Sequence, residues 1–211
     1  MKLLDLFCGA GGAARGYQMA GFHVTGVDVN PQPRYAGDEF HQADAMTFPL
    51  DGFDAIHASP PCQDHSPLSA LVGLHGTGHL LPATRERLQA SGKPWVIENV
   101  PGAPMRADVV LCGGMFGLRT YRHRWFEVSG FMVSQRVHPP HETRTATSRR
   151  RERWAQGWHV SVTGDVGTYV GPEAMGIDWM TGNELSQAIP PAYTQNVGQY
   201  LMAELTAAVA S

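Results

Sequence analysis

Apolar positions in this chain come in short unbroken runs, not in long stripes. KLLDLF (2–7), HVTGVD (23–28), FDAIHA (53–58) and PWVIEN (94–99) are each of strand length and each end in chemistry-bearing or turn-forming residues. FHQADAM (40–46) predicts a further strand and turn, and DVVLCGG (108–114) and RWFEVSG (124–130) predict two more strands. Helical signals lie between the strands. CGAGGAARG (8–16) runs from a glycine turn into a helix ending near Gly21, and ATRERLQASG (83–92) is a helix with a glycine stop. Tyr193, Val197, Leu201 and Leu205 recur every fourth residue and predict a helix from Pro191 to Ala210. HVSVTGDVGTYVG (159–171) reads as a small hairpin, and PLSALVGLHGTGHLL (67–81) as a shaped loop. Strands alternating with helices or long loops predict an α/β fold with a mostly parallel sheet. Ligands of such sheets bind beyond the carboxyl ends of the strands. Four loaded stretches sit at those ends: Cys8–Gly12, Asp28, Pro60–Gln63 and Glu98–Asn99.

Composition narrows the class. A chain of 211 residues with 43% hydrophobic content is one domain with a substantial core. Cys8, Cys62 and Cys112 are odd in number and far apart, with no zinc-finger spacing, so neither a disulfide framework nor a metal site is expected. The start of the chain shows no targeting pattern and no apolar run is long enough for a membrane, so a soluble, cytoplasmic protein of a bacterial or phage-infected cell is expected. The net charge of −3 hides an asymmetry. Residues 119–153 hold nine of the 16 basic residues, all arginine, against three acids, which makes that window +6 and the remainder −9. Clustered arginines suit phosphate contact, or form a solvated basic loop.

Four patterns carry chemistry. The glycine turn of DLFCGAGG (5–12) lets backbone pass close to a ligand, and Asp28 ends the next strand where a carboxylate can accept from ribose hydroxyls. Gly9, Gly11 and Ala14 also satisfy the dinucleotide fingerprint GxGxxA, so the turn indicates a nucleoside cofactor without naming it, and a plain tight turn reads the same way. Val29 can pack on an adenine, or belong to the core. Asp44 can accept from an adenine amino group, or cap a turn. In SPPC (59–62) two prolines aim the thiol of Cys62, as a nucleophile or as a buried structural cysteine. Glu98 ends an apolar strand, where a carboxyl group needs a partner or a task. Arg122 and Arg124 stand two apart on one side of an extended segment.

In order, the glycine turn, Pro61-Cys62-Gln63, Glu98-Asn99-Val100 and Arg122-x-Arg124 resemble the DNA cytosine methyltransferases that act on carbon-5. SQAIPPAYTQNVG (186–198) is similar to that family's closing motif, and MGIDWMT (175–181) to the stretch before it. The resemblance implies a Rossmann-like S-adenosylmethionine-dependent methyltransferase fold, a twisted sheet with helices on both faces. It implies Cys62 as nucleophile, Glu98 as the group that binds the base, and Arg122 and Arg124 as orienting residues. It implies a cofactor site from Asp5, Phe7, Cys8, Gly9, Ala10, Gly11, Gly12, Asp28, Val29, Asp44, Ala45, Pro60, Gln187 and Ala188. Double-stranded DNA is the implied partner, met by Gln63, Ser66, Arg144, Arg149, Arg150, Arg151 and Arg153, with the target base flipped out; the long loop 64–81 after Cys62, with Gly73, Gly76 and Gly78, reads as a lid over that base or as an ordinary connection.

The implied organisation is a catalytic unit over 1–130, a short basic target-recognition segment over 131–174, and a closing segment over 175–211 that packs back. Only about 50 residues separate Glu127 from MGIDWMT, where the family usually carries a whole recognition domain. Modest specificity, a short target or a separate specificity partner follows, with a monomer expected. Thr120 replaces a frequent glutamine, Ser186-Gln187 replaces Gly-Asn, and SPP replaces the commoner Gly-Phe-Pro or Gly-Pro-Pro. A tRNA cytosine methyltransferase relative and a non-catalytic DNA-binding homologue remain as alternatives.

Overall fold

The run KLLDL (Lys2–Leu6) forms β1, and four of its five residues are buried because neighbours cover both of its edges and both of its faces. The structure is a computed structural model and describes residues 1–61, 80–147, 149–163 and 169–210. On one side of β1 lie β2 (His23–Asp28) and then β3 (Glu39–Gln42). On the other lie β4 (Ala55–Ala58) and then β5 (Trp95–Asn99), all parallel. The sheet continues through β7 (Arg124–Ser129) to β6 (Val109–Leu111), and β7 runs antiparallel to both its neighbours. After β3 the chain returns past β1 to start β4, so the order reverses between β1 and β4, where doubly wound sheets open a ligand crevice. No helix among the described residues is long and apolar enough to cross a membrane.

Alternation along the strands divides the core. Leu3, Val24, Ala55, Val96 and Phe126 face α1 (Gly12–Met19) and the C-terminal helix, while Leu4, Leu6, Val27, Ile56, Trp95 and Ile97 face the side of Leu88 on α2 (Leu80–Ala90). A third cluster, built from Val160, Val162, Met175, Ile177, Leu185 and Ala188, covers Ala10. Its helices are α3 (Arg151–Ala155), α4 (Gly171–Met175) and α5 (Gly182–Gln187), which no periodicity announced. Helix α5 starts on a capping box between Thr181 and Glu184, and Glu184 also pairs with Arg34 at 2.9 Å.

Two expectations change. Residues 164–168 of the expected 159–171 hairpin lie outside the described residues, and its first strand pairs elsewhere. β9 (His159–Ser161) pairs in parallel with β8 (Thr145–Thr147), and a parallel pair requires the crossover that α3 supplies. The strand over 108–114 stops at Leu111, and a 3₁₀ turn takes Gly113–Phe116.

Helix α6 (Pro191–Ala210) lies along α1. At Gly16 the two run close together, and a Cβ there would collide with the Pro191 carbonyl oxygen and Thr194 Oγ1. Thr194 Oγ1 in turn donates to the Ala13 carbonyl at 2.8 Å. Gly16→Ala is therefore expected to destabilise the protein by about 1–3 kcal/mol or more through overpacking. An unchanged urea midpoint would mean that α6 shifts freely.

Candidate active site

The carboxyl ends of the parallel strands define one edge of the sheet. Because β7 runs backwards, its first residue, Arg124, lies at the same edge, and Glu98 and Asn99 of β5 face Phe126 and Trp125. The direction of that one strand brings the Arg-x-Arg pair to the end of β5.

The turn after β1 is held by its backbone. Phe7 adopts φ +58°, a left-handed conformation that a bulky side chain keeps only when its surroundings impose it. Gly9 and Gly11 follow at +48° and +82°. Gly9 N donates to Asp28 Oδ2 at 3.1 Å and Asn30 N to Asp28 Oδ1 at 2.9 Å, which ties the ends of β1 and β2 together. Among the described residues a Cβ at Gly9 would meet nothing within 4 Å, whereas one at Gly11 would lie 2.7 Å from Ala36 N and one at Gly12 2.6 Å from the Ile189 carbonyl. The turn is thus open above Gly9 and closed behind. Trp179 Nε1 donates to the Ala10 carbonyl at 3.0 Å and closes the third side.

Under the turn, Asp5 is fully buried, and neither carboxylate oxygen has a hydrogen-bond partner among the described residues. Burial, then the charges of Asp28 and Glu98, pushes its carboxyl well above the usual range. Its neighbour in register, His57, is also buried. The ring bridges Tyr17 Oη at 3.0 Å and Ser59 Oγ at 2.9 Å, and burial lowers its pKa to about 3, so it is neutral. Ser59 also bonds Glu98. A buried chain, Tyr17–His57–Ser59–Glu98, therefore runs beneath the site. It was not singled out from sequence. The signal was a histidine inside a buried apolar strand, where a polar ring requires partners.

Glu98 is 5% exposed. Arg124 Nε lies 2.8 Å from its Oε1, an ion pair whose N–H is not aligned as a directed hydrogen bond. Burial pushes the Glu98 carboxyl up; Arg124, the Ser59 hydroxyl and Arg122 oppose it. Asn99 Nδ2 donates to the Pro60 carbonyl at 3.0 Å while its Oδ1 accepts from Val100 N at 2.8 Å. The Pro-Pro segment is thereby fixed beside Glu98. Arg122 reaches elsewhere, to the carbonyls of Ser186 (2.6 Å), Ala188 (2.9 Å) and Val162. Tyr193 Oη donates to Arg122's own carbonyl at 2.8 Å. Its guanidinium ties the closing segment to the sheet edge.

The other expected positions divide. Phe7 is half-buried, and Cys8, Ala10, Ala45, Pro60 and Ala188 are buried. Val29 is 66% exposed at the end of β2. Asp44 is exposed, and its Oδ1 caps a turn by accepting from Met46 N at 2.8 Å. Gln187 is exposed. Cys62, Gln63, Ser66 and residues 64–79 of the proposed lid lie outside the described residues. The arginines after residue 140 are exposed and several stack on aromatic rings. Arg144 and Arg153 lie over Trp158 at 5.6 and 4.7 Å, and Arg151 over Tyr169 at 4.9 Å. Arg150 pairs with Glu152 at 3.6 Å, and Arg149 is exposed in the turn before α3.

Residues 1–106 match the family model of C-5 cytosine-specific DNA methylases. Among solved structures, a prophage-encoded E. coli protein assigned as a DNA modification methyltransferase superposes with a TM-score of 0.65 at 13% identity, covering 98% of this chain and 99% of its own. The Dnmt2 methyltransferase of S. pombe gives 0.56 at 14% identity (99% of each chain), and a Dnmt2 variant of Spodoptera frugiperda gives 0.54 at 12% (97% and 99%). At those identities the likeness concerns the fold, an α/β Rossmann-like sheet. No curated protein matches the chain in sequence. With half of its length matched by the family model, the chain belongs to the C-5 cytosine-specific DNA methylases and is a cytosine methyltransferase.

Proposed function

We propose that the protein transfers a methyl group from S-adenosylmethionine to carbon-5 of cytosine in double-stranded DNA, through a covalent adduct with Cys62. The observation that carries this reading is the Asn99–Pro60 hydrogen bond of 3.0 Å. It fixes the backbone two residues before Cys62 against the strand end that presents the Glu98–Arg124 pair.

The residues present fit a nucleoside cofactor. Asp28 uses one acceptor position of each oxygen on backbone N–H groups, which leaves further lone pairs for ribose hydroxyls. Among the described residues the space above Gly9 is free to admit a ligand against the backbone, and exposed Val29 offers an apolar face. Phe7 and Gly9 to Gly12 form the cradle in this reading, with Asp5 beneath it. When bound, S-adenosylmethionine supplies an electrophilic methyl group.

The chain supplies the rest. The Cys62 thiolate forms a bond to carbon-6 of a flipped-out cytosine, which makes carbon-5 enamine-like. Glu98, whose pKa burial raises, faces the ring nitrogen and exocyclic amine and disperses the charge that develops there. Arg124 fixes the Glu98 carboxyl group. Arg122 closes the edge by holding Ser186 and Ala188. The carbon-5 proton then passes to solvent, its bonding pair re-forms the 5,6 double bond, and the carbon–sulfur bond breaks to return Cys62 as a thiolate.

Residues 131–174 serve as the DNA-contact segment in this proposal, with Arg144, Arg149, Arg150, Arg151 and Arg153 on phosphates. Replacing Arg149, Arg150 and Arg151 by alanine is expected to weaken duplex binding across sequences. It should also flatten the log–log salt dependence by about 0.9 for each phosphate that is no longer neutralised. An unchanged slope would remove these arginines from the interface. The substrate is tested by offering labelled S-adenosylmethionine with duplex DNA or with tRNA. Label recovered as 5-methylcytosine in DNA is expected; label in tRNA alone, or in neither, would overturn the proposal.

A further inference from the structure

Cys112, His123, His138 and His141 have no finger-like spacing, yet each brings one donor atom to a cluster in which all four atoms lie within 4.8 Å of one another. The topology explains the meeting. Cys112 directly follows β6 and His123 directly precedes β7, and the two ends adjoin because Leu111 pairs with Arg124. His138 and His141 flank Pro139-Pro140, whose rings fix two backbone φ angles and hold the spacing of the imidazoles. Cys112 Sγ is 3.3 Å from His141 Nε2, and His123 Nε2 is 3.0 Å from His138 Nε2. The His141 ring stacks on Tyr121 with centroids 3.7 Å apart and planes at 17°. The Tyr121 hydroxyl accepts from Thr143 N at 3.0 Å and donates to the Thr143 carbonyl at 3.1 Å, so the platform is itself held.

We propose that these four side chains form a closed, tetrahedral site for a zinc-class divalent cation. One thiolate with three imidazoles is a donor set that zinc takes readily. Zinc bonds of about 2.0–2.3 Å place tetrahedral donors roughly 3.3–3.6 Å apart, near the two separations already present. Four protein ligands leave no position for water, so the site is structural. Its consequence lies in the segment Arg122-His123-Arg124. Arg122 and Arg124 point to the closing segment and to Glu98, while His123 points to the cluster. A cation there would brace the arginine pair from behind and fasten residues 138–141, just before the arginine-rich stretch, to the sheet edge.

Cobalt provides the test, and it does not depend on methyl transfer. Chelator-stripped protein titrated with Co²⁺ should take up one equivalent, developing the visible bands of a tetrahedral ion and a thiolate-to-cobalt charge-transfer band. Zn²⁺ should bleach both. Cys112→Ser should lose the charge-transfer band. His138→Ala, at an exposed position, should weaken binding by at least about a hundredfold. The wild-type spectrum decides on its own: octahedral or absent cobalt bands would overturn the site, whatever the variants do. A charge-transfer band that survives in Cys112→Ser would overturn it equally.

Discussion

Cys62→Ser is expected to lower methyl transfer by roughly 10⁴-fold or more, the scale on which covalent enzymes respond to loss of their nucleophile. Serine keeps the shape but its hydroxyl does not ionise at neutral pH, whereas a thiol has a reference pKa near ~8.5 that a nearby cation lowers. The framework that aims residue 62 is backbone: two prolines, and a carbonyl held by Asn99. None of it involves the side chain being replaced, so S-adenosylmethionine binding and the melting temperature should stay unchanged. Radiolabel transfer and isothermal titration on the same preparation separate the two effects. Turnover within tenfold of wild type would remove Cys62 as nucleophile.

Glu98 and Arg124 carry the second large effect. Glu98→Gln preserves size but replaces the carboxyl group that meets the base, and kcat is expected to fall by about 10²–10⁴ with cofactor affinity intact. Arg124→Ala acts on stability too, since it strands a carboxyl group in a site only 5% exposed, at about 3–5 kcal/mol. Its pH dependence has a definite sign. Burial already raises the Glu98 pKa above its unfolded value, and Arg124 is the largest opposing influence, so its loss raises it further. A group raised in the fold contributes its stability fully below the unfolded value near ~4.3 and loses it as pH climbs through the folded value. The Arg124→Ala penalty should therefore be larger at about pH 8 than at about pH 5, read from urea midpoints. An equal penalty at both would mean that Glu98 keeps the same charge with and without its partner.

What the sequence made legible follows from what a periodic pattern encodes. Strands β1, β2, β4 and β5 are buried on both faces, so their apolar runs stood out, and the glycines of the turn after β1 announced a backbone that ordinary residues resist. Burial says nothing about direction, however. Neither the reversal of β7, which puts Arg124 beside Glu98, nor the parallel pairing of β8 with β9 could be read from RWFEVS or HVS. Helices α3, α4 and α5 are each six residues or fewer, too short for a repeat to show. Arg122 looked equivalent to Arg124 in an Arg-x-Arg pair, and the fold sets Arg122 on the carbonyls of Ser186 and Ala188 and Arg124 on Glu98. The Cys112 cluster escaped for a related reason: its spacing exists in the sheet edge and not in the chain.

The central claim concerns a sulfur–carbon bond between this chain and a DNA base. Duplex DNA carrying 5-fluorocytosine at the target blocks the last step, because fluorine cannot leave as the carbon-5 proton does. With S-adenosylmethionine present, a denaturation-resistant complex of protein and DNA is expected, its cross-linked peptide containing Cys62. Free protein and free DNA under those conditions, in a preparation that methylates ordinary cytosine, would contradict it.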